Sequence, residues 1–422
     1  MSRRNENRPG YKRTEVGWIP QNWRCSTGAD ITELIGKGAS PRWQGFEYTS
    51  SGMLFITSEN VRDGYLNLSK PKYLPIEFHN KLRRTRIRKG DILINLVGAS
   101  IGRSCSVRRE LGNANVNQAV CVFRVKNDIC REYISYYFQN PSTIKRILEM
   151  QVDAARPNIS LGDLREFRIA IPLFSEQKKI AEILSTWDNA IEQTRKLIEA
   201  KKRSKKALMQ QLLTGSFQLK GFQGQIHAAS LDKFFERVTR TNEIDCENVL
   251  TISGPLGLVN QRDYFNRQVA SEDLSGYFLI EKGEFAYNKS SCNGYPLGAL
   301  KMLEKYDRGV VSKLYICFRI RDESKIDRNF IKYYFEGGLL NRGLYSIAHE
   351  GARCHGLLNV SPKDFFNLKV TLPSIKDQKR IADILDASTS EVANHEIQLA
   401  ALEKQKRGLM QKLLTGEVRV KV

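Results

Sequence analysis

The sequence predicts an α/β protein in which two globular modules are separated by an antiparallel two-helix coiled coil. Three observations favour this fold. The chain has 422 residues, which is too long for one ordinary hydrophobic core. One stretch of the chain recurs about two hundred residues later, as in a duplicated domain. Each copy of that stretch has the apolar spacing of a single long helix. We therefore expect a pseudo-twofold internal repeat.

The duplication is clearest in the helical stretches. Residues 172–215 align without a gap with residues 373–416, at an offset of 201, and 16 of 44 positions are identical. The match continues more weakly upstream, where Lys89-Gly90-Asp91 corresponds to Lys282-Gly283-Glu284. The upstream parts have therefore diverged more than the helices. The expected segments are a first module at 1–171, a first long helix at 172–219, a second module at 220–372 and a second long helix at 373–422.

The long helices are predicted from apolar residues that alternate at spacings of three and four, which is the heptad period. The first helix should run from an N-cap at Ser175 to about Leu213, and Gly215 suits its end. The apolar positions predicted to form the core of a helix pair are Ile180, Leu184, Trp187, Ile191, Ile198, Leu208 and Leu212 in the first copy and Ile381, Leu385, Val392, Leu399, Leu402, Leu409 and Leu413 in the second.

Each helix needs a partner, because a single apolar stripe would otherwise be left in water. The other copy is the simplest partner, and antiparallel pairing would produce the pseudo-twofold repeat. The alternative is that each helix packs separately on its own module. Between Arg195 and Lys206 the first helix carries seven basic residues and one acid, Glu199. A solvated face and a phosphate-binding face explain this run equally well.

The modules are predicted from short strand-like runs joined by connections that contain glycine. The clearest runs lie at 91–97, 119–125, 277–280 and 314–320. Long connections between such strands are the usual place for binding residues.

The charge of the chain favours a nucleic-acid partner. Its 67 Lys and Arg against 46 Asp and Glu give a net charge of +21. A surface of this kind concentrates a polyanion and releases its counterions. The eight cysteines do not have the spacing of a zinc site. Several of them, such as Cys121 and Cys317, lie in apolar strand-like runs, where a free thiol behaves as a small apolar side chain. Free thiols of this kind favour a reducing, cytoplasmic compartment. No stretch is apolar enough to predict a membrane span. Charge alone carries no sequence specificity.

The basic and amide residues of the modules are the candidate DNA contacts. Arg and Lys suit guanine edges and phosphates, whereas Asn and Gln suit adenine. Residues 81–109 contain nine Lys or Arg and one acid, Asp91. For any single candidate, a turn or core hydrogen bond is the simpler interpretation. The candidates are Arg83, Arg84, Arg86, Arg103, Asn117 and Gln118 in the first module and Arg262, Lys289, Lys301 and Lys313 in the second.

These features resemble the specificity subunit of Type I restriction–modification systems, over nearly the whole chain. The opening TEVGWIPQNW at 14–23 and the helix starts SEQKKIAEIL at 175–184 and KDQKRIADIL at 376–385 are similar to that family's conserved regions. Both helices also end in LLTG. In the second module, EFAYNKS at 284–290 resembles a common type of the family's target-recognition domain. The resemblance extends to GVVSKLY at 309–315, with one departure, since Lys313 stands where proline is usual in that motif.

The resemblance implies a division of labour. Each target-recognition domain would read one half of a bipartite double-stranded DNA site. The paired helices would set the spacer between the halves and dock two modification subunits, and restriction subunits would join the full complex. S-adenosylmethionine, ATP and Mg²⁺ are implied for those partners and no cofactor for this chain, which would be non-catalytic and cytoplasmic. The DNA sequence that is read and the length of the spacer are not predicted.

Two other classes of function stay open. The sequence contains no phosphate-binding loop of the GxxxxGK[ST] type, no GxSxG turn and no HExxH pair, and no metal site or catalytic residue is predicted. A DNA nuclease or methyltransferase with an unrecognised active site is one alternative, and turnover by the chain alone would favour it. A free-standing DNA-binding regulator is the other, and it would have no need of a methyltransferase partner.

Overall fold

The structure, a computed structural model, describes residues 5–150, 158–222, 227–254, 256–265, 270–291, 294–350 and 358–422. The chain forms two compact units. Unit 1 comprises Met1–Arg195 and Ile397–Val422, and unit 2 comprises Lys196–Glu396. The division passes through both long helices, whereas the sequence suggests divisions at the junctions between modules and helices. Unit 1 therefore contains the start of the first helix and the end of the second, and unit 2 contains the other two halves.

Both long helices have 40 residues. In chain order they are α6 (Phe174–Leu213) and α11 (Ile375–Leu414), numbered among the helices given below.

Unit 1 mixes short strands and short helices. Its strands are β1 (Tyr11–Thr14), β2 (Gly17–Pro20), β3 (Arg24–Thr27), β4 (Thr32–Lys37), β5 (Met53–Ile56), β6 (Lys72–Leu74), β7 (Ile92–Asn95), β8 (Ser104–Ser106), β9 (Ala114–Val116), β10 (Val120–Val125) and β11 (Arg168–Ile171). Its short helices are α1 (Gly28–Ile31), α2 (Ile76–Lys81), α3 (Arg131–Gln139), α4 (Pro141–Glu149) and α5 (Leu161–Glu166).

A four-stranded antiparallel sheet in the order β4-β10-β7-β8 forms the centre of unit 1. The strand β10 has the sequence VCVFRV, and its apolar residues are buried on both faces, as expected for a central strand. Phe123 of β10 packs edge-on against Phe138 of α3, with ring centroids 5.0 Å apart. A second sheet in the order β6-β5-β9 contains the parallel pair β5 and β9. The core includes Ile180 and Leu184, so the start of α6 is packed into this unit.

Unit 2 has a similar mixture. Its strands are β12 (His227–Ser230), β13 (Phe235–Val238), β14 (Leu250–Ser253), β15 (Gly257–Asn260), β16 (Phe278–Glu281), β17 (Phe285–Asn288), β18 (Ala299–Met302), β19 (Arg308–Val311), β20 (Ile316–Ile320), β21 (His349–Glu350), β22 (Leu358–Asn359) and β23 (Lys369–Leu372). Its short helices are α7 (Gln261–Phe265), α8 (Arg328–Glu336), α9 (Asn341–Ile347) and α10 (Pro362–Phe366).

The main sheet of unit 2 repeats that of unit 1. Its strands are antiparallel in the order β13-β20-β17-β18, so the duplicated sequence folds into the same strand arrangement. The core is aromatic. Phe285 and Phe318 stack with their ring centroids 5.4 Å apart, and Phe235 packs edge-on against Phe318 at 5.3 Å. Leu212 belongs to the same core, so the end of α6 is packed into unit 2.

The first helix begins two residues earlier than an N-cap at Ser175 requires. Because α6 begins at Phe174, Ser175 lies within its first turn and is not the N-cap. The backbone N–H of Gln177 donates to the carbonyl of Leu173 at 2.9 Å, which closes the first turn ahead of Ser175.

The second helix has a capping side chain at Ser374, the residue directly before its first residue. The hydroxyl of Ser374 accepts a hydrogen bond from the backbone N–H of Asp377 at 3.2 Å. Each helix is followed, two residues after its last residue, by a glycine in the left-handed conformation, with φ of 71° at Gly215 and 69° at Gly416. That conformation favours glycine, so the doubled LLTG sequence explains both helix ends.

Ion pairs within each unit show that the two helices run together. In unit 1, Asp188 pairs with Lys406 and Arg195 pairs with Glu403. As the residue number rises along α6, the number of its partner in α11 falls. The helices are therefore antiparallel, and the predicted helix pair is confirmed. In unit 2, Lys202 pairs with Glu396 at 2.8 Å. Each half of the pair also packs on its own module, so pairing and packing on the module occur together.

The predicted core positions of the helices are covered to different degrees. Burial is nearly complete for Ile180, Leu184, Ile191, Ile198, Leu212, Ile381, Leu385, Val392 and Leu413. The half-buried positions are Trp187, Leu208, Leu399, Leu402 and Leu409. Among the described residues, no helix combines the length and the apolar character that crossing a membrane would require.

Candidate nucleic-acid interface

A buried ion pair in unit 1 anchors the backbone within the basic run at residues 81–109. The carboxylate of Asp91 is 1% exposed and accepts hydrogen bonds from Nε and Nη2 of Arg124 at 2.7 and 2.8 Å. The same carboxylate accepts the backbone N–H of Arg88 at 2.7 Å. Arg124 also donates to the carbonyl of Arg86 at 3.0 Å. Because Asp91 stabilises the cation, the pKa of Arg124 is raised above its usual value. The pair therefore holds the backbone between Arg86 and Arg88 in place.

Unit 2 has an equivalent buried carboxylate that accepts hydrogen bonds from an arginine and from a backbone N–H. Glu284, which corresponds to Asp91 in the repeat, is buried and accepts a hydrogen bond from Arg240 at 2.6 Å. It also accepts the backbone N–H of Glu281 at 2.8 Å. The preceding glycines, Gly90 and Gly283, both have positive φ, at 93° and 88°. The motif Lys-Gly-Asp/Glu is thus a scaffold turn in both units, which explains why it persists where the surrounding sequence has diverged.

Arg83 and Arg84 are presented by a buried hydrogen-bond network beneath them. They lie on a short 3₁₀ turn, Arg83–Thr85, and both are exposed. The Asn115 side chain, which is fully buried, donates to the carbonyl of Leu82 at 2.9 Å and shares a 2.6 Å hydrogen bond with the ring of His79. The carbonyl just before the two arginines is therefore anchored to the core.

These arginines belong to a concave surface that we call the basic groove. Its basic lining residues are Lys37, Lys81, Arg83, Arg84 and Arg165. None of the described residues that line it is acidic. They come from the end of β4, from the end of α2 and the 3₁₀ turn that follows it, and from α5. A groove that is lined by one sign of charge attracts a polyanion such as a nucleic-acid backbone.

The other candidates in unit 1 are more constrained. Arg86 is half-buried and donates to the carbonyl of His79 and to the Asn80 side chain, both at 3.2 Å. Arg103 lies 4.0 Å from the carboxylate of Asp63. Asn117 accepts the backbone N–H two residues later at 3.1 Å, which is the hydrogen bond of a turn.

Gln118 is exposed on that turn. It is therefore better placed than Asn117 to reach a DNA base.

The candidates in unit 2 divide in the same way. Arg262 and Lys313 are exposed. Lys289 is half-buried and donates to the carbonyl of Val360 at 3.5 Å, and burial lowers its pKa. Lys301 is 8% exposed and pairs with Glu336 at 3.1 Å. Burial and this ion pair leave little of Lys301 exposed for a contact with DNA.

The basic run of α6 is partly explained by the helix pair. Arg195, Lys201 and Lys202 each pair with a glutamate of α11 inside their own unit. Lys205 lies over the ring of Tyr333, with its ammonium 5.6 Å from the centroid, and burial lowers its pKa. Arg195, Lys201 and Lys202 therefore contribute to helix pairing and Lys205 packs on the module, which are roles that neither interpretation of the run includes.

Two members of the basic groove are not indicated by the sequence. Lys37 and Arg165 lie far from residues 81–109 in the chain, and only the fold brings them together. The repeated Lys-Gly-Asp/Glu motif is the sequence signal from which the scaffold turn could have been found.

The buried thiols have a structural character. Burial raises the pKa of Cys105, Cys121 and Cys317 to about 12, so these thiols stay protonated at neutral pH. In the part of the chain that the structure describes, no three His, Cys, Asp or Glu residues are placed so that they could hold a metal ion.

Comparison with known proteins adds the family context. Residues 20–202 match the family described as the Type I restriction modification DNA specificity domain. The putative type I restriction enzyme MjaX specificity subunit of Methanocaldococcus jannaschii is 26% identical over 434 aligned residues, which cover 97% of each chain. The type I restriction enzyme EcoBI specificity subunit of Escherichia coli is 28% identical over 184 residues, which cover 42% of this chain and 36% of that subunit.

Solved structures share the fold. A chain from a type I R-M system, studied for complex assembly and conformational transition, matches with a TM-score of 0.59 at 15% identity and covers 95% of this chain and 99% of that one. The HsdS subunit from Thermoanaerobacter tengcongensis matches with a TM-score of 0.51 at 15% identity, over 95% of this chain and 98% of that subunit. At these identities the likeness concerns the fold alone.

Proposed function

We propose that this chain, which belongs to the family of Type I restriction–modification specificity subunits, reads a bipartite DNA target with one module for each half. The chain is the DNA-recognition subunit of such a system and is not itself the enzyme. The proposal that each module reads one half of the target rests on one observation. The same sheet order and the same scaffold turn occur in both units, while the exposed residues around them differ. Two unlike readers on one scaffold fit a target with two unlike halves.

The basic surface provides the affinity in this mechanism. In unit 1, Arg83 and Arg84 would contact phosphates in the basic groove, since exposed arginines bind phosphate oxygens in a bidentate manner. Exposed side chains close to the sheet, such as Gln118 in unit 1 and Arg262 and Lys313 in unit 2, are the proposed base contacts. Phosphate contacts fix the position of the DNA, and base contacts supply the sequence preference.

The paired helices would carry the two readers at a fixed separation. A helix rises about 1.5 Å per residue, so each 40-residue helix is about 60 Å long. We expect the centres of the half-sites to lie about one DNA turn apart, at about 34 Å. The bases between them would not be read.

The partners proposed for this chain supply the chemistry. Two modification subunits would dock on the helix pair, with S-adenosylmethionine bound to them, and restriction subunits with ATP and Mg²⁺ would join the larger complex. Methyl transfer to adenine requires a base outside the stack, so the modification subunit would flip the base while this chain holds the duplex in register. The complex would act in the cytoplasm.

Reconstitution tests this assignment. The purified chain, its modification subunit and the mixture of both are each incubated with genomic DNA and labelled S-adenosylmethionine. We expect methyl transfer only from the mixture. Turnover by the chain alone would support the enzyme alternative, and specific DNA binding with no effect on the modification subunit would support a free-standing regulator.

A further inference from the structure

An exposed tryptophan of unit 1 follows Ala39, a lining residue of the basic groove, closely in the chain. Trp43 is 89% exposed, on a short 3₁₀ turn at Arg42–Gln44. We propose that Trp43 inserts against the bases of the DNA whose phosphates occupy the basic groove. This inference rests on the proposed function, and it adds a base-contacting residue that the charge pattern does not indicate.

The turn that carries Trp43 is held firmly, although its tip is in water. The backbone N–H groups of Gln44 and Phe46 both donate to the carbonyl of Pro41, at 2.9 and 3.0 Å. Gly45 has a φ of 78°, which favours glycine at this position. The ring of Phe46 packs edge-on against Phe78 in the core, with centroids 5.4 Å apart. The hydrogen-bonded turn therefore presents the indole outward, so little backbone entropy would be lost when the ring binds.

The chain segments on either side of the turn line or contact the basic groove. Before it, Gly38 and Ala39 line the groove. A Cβ atom on Gly38 would lie only 1.6 Å from the carbonyl oxygen of Val116, so the chain passes this point in close contact with β9. After the turn, Phe46 lies under Lys81, whose ammonium is 5.9 Å from the ring centroid. Lys81 is itself a groove residue, so the segments before and after the turn are both connected to the groove.

The charges around the turn favour DNA over a protein partner. Arg42 next to the indole is exposed. Within the described residues, no carboxylate pairs with Lys37, Arg83 or Arg84, so these cations are not neutralised internally. An aromatic face beside unneutralised cations is the usual composition of a surface on which bases stack and phosphates bind. Large apolar side chains also act as wedges between base steps when a protein deforms DNA.

The test uses tryptophan fluorescence of the full chain. The wild-type chain and a Trp43→Phe variant are titrated with short mixed-sequence duplex DNA and, separately, with heparin, which has the charge of a polyanion and no bases. The difference between the two chains isolates Trp43 from the other tryptophans. We expect DNA to quench this difference signal and heparin to leave it unchanged. Equal quenching by both, or none by DNA, would overturn the proposal.

Affinity gives a second readout. A Trp43→Ala variant should bind the duplex about tenfold more weakly, because it loses the burial of the apolar indole ring against the bases, while its binding to heparin should not change. Trp43→Phe should recover part of the loss. The matched control is Tyr345→Ala, which removes another exposed aromatic, 78% exposed and located in unit 2, and should leave both affinities unchanged.

The outcomes separate the inference from the function on which it rests. If the wild-type chain does not bind duplex DNA, both are contradicted. If the wild type binds DNA and Trp43→Ala binds it equally well, only the inference fails. Normal DNA binding by Trp43→Ala together with loss of the modification subunit would overturn it in favour of a protein contact.

Discussion

Asp91 and Glu284 occupy the same position of the repeat and have the same structural role in their units. Each side chain is buried, pairs with an arginine of a neighbouring segment and accepts a backbone N–H three residues earlier. Removal of a buried partner leaves the other charge uncompensated, so this kind of pair is sensitive to truncation.

For Asp91→Ala we expect unit 1 to lose about 3 kcal/mol of unfolding free energy, because Arg124 would keep its charge in a site that is mostly shielded from water. Thermal and urea unfolding of the full chain would measure the loss. The control is Glu59→Ala, which removes the partner of Lys72 in an exposed pair and should have little effect. Equal losses in the two variants would contradict the structural role of Asp91.

The basic groove predicts a change in the salt dependence of DNA binding. Removing Arg83 and Arg84 together should lower the slope of log K against log salt by about 2, since each phosphate contact contributes about 0.9. Arg319→Ala with Lys325→Ala removes the same charge from exposed ion pairs in unit 2 and should leave the slope nearly unchanged. Affinity measured across a salt series tests this, and equal changes in both double variants would show only an effect of net charge.

Single side chains are where prediction from sequence is weakest. Arg83 and Lys301 are both basic residues in a candidate region, yet the first is exposed and the second is buried against Glu336. Which face of β18 Lys301 occupies depends on its pairing with Ala286 of the neighbouring strand, and that register is a property of the whole sheet.

The two helices are nearly equivalent elements with a few informative differences. Leu184 and Leu385 occupy the same place in the repeat, and both are fully buried. The heptad pattern places the end of the first helix at Leu213, as observed, and its start two residues too late, because apolar periodicity is a local property of the sequence. The strand order is not local, and the weak upstream similarity shows only that two copies exist.

Truncation of the equivalent leucines should destabilise each unit separately. Leu184→Ala should lower the stability of unit 1, and Leu385→Ala that of unit 2, each by about 3 kcal/mol, because each change leaves a cavity. Calorimetry of the full chain would detect which transition shifts. Leu197→Ala, at a position that is 40% exposed, is the control and should shift neither. A similar shift for all three would contradict the assigned packing faces.

Lys205 and Lys406 correspond in the repeat but have different surroundings. Lys406 pairs with Asp188 and lies over Tyr136, whereas burial lowers the pKa of Lys205 over Tyr333. Lys406→Met should therefore cost unit 1 about 2 kcal/mol, as expected for a hydrogen bond between charged groups. Lys205→Met should cost unit 2 nothing, since it removes a cation that is poorly solvated. Calorimetry tests the pair, and the reverse order would contradict these environments.

At the scale of the molecule, the duplication and the charge are the features that sequence conveys best. An offset of 201 and a net charge of +21 are sufficient to predict a repeated, DNA-binding architecture. The division of the chain within its helices is not predictable in the same way, because it depends on which half of each helix packs with which module. Similarly, Lys37 and Arg165 join the basic groove only through the fold.

The most direct measurement is single-molecule mapping of methylated adenines in genomic DNA from cells that carry this chain with its modification subunit, compared with cells that lack the chain. We expect one motif that depends on the chain, with two specified halves separated by bases of any identity and centred about one DNA turn apart. A single uninterrupted motif, or methylation that persists without the chain, would contradict the idea of two readers held apart by paired helices.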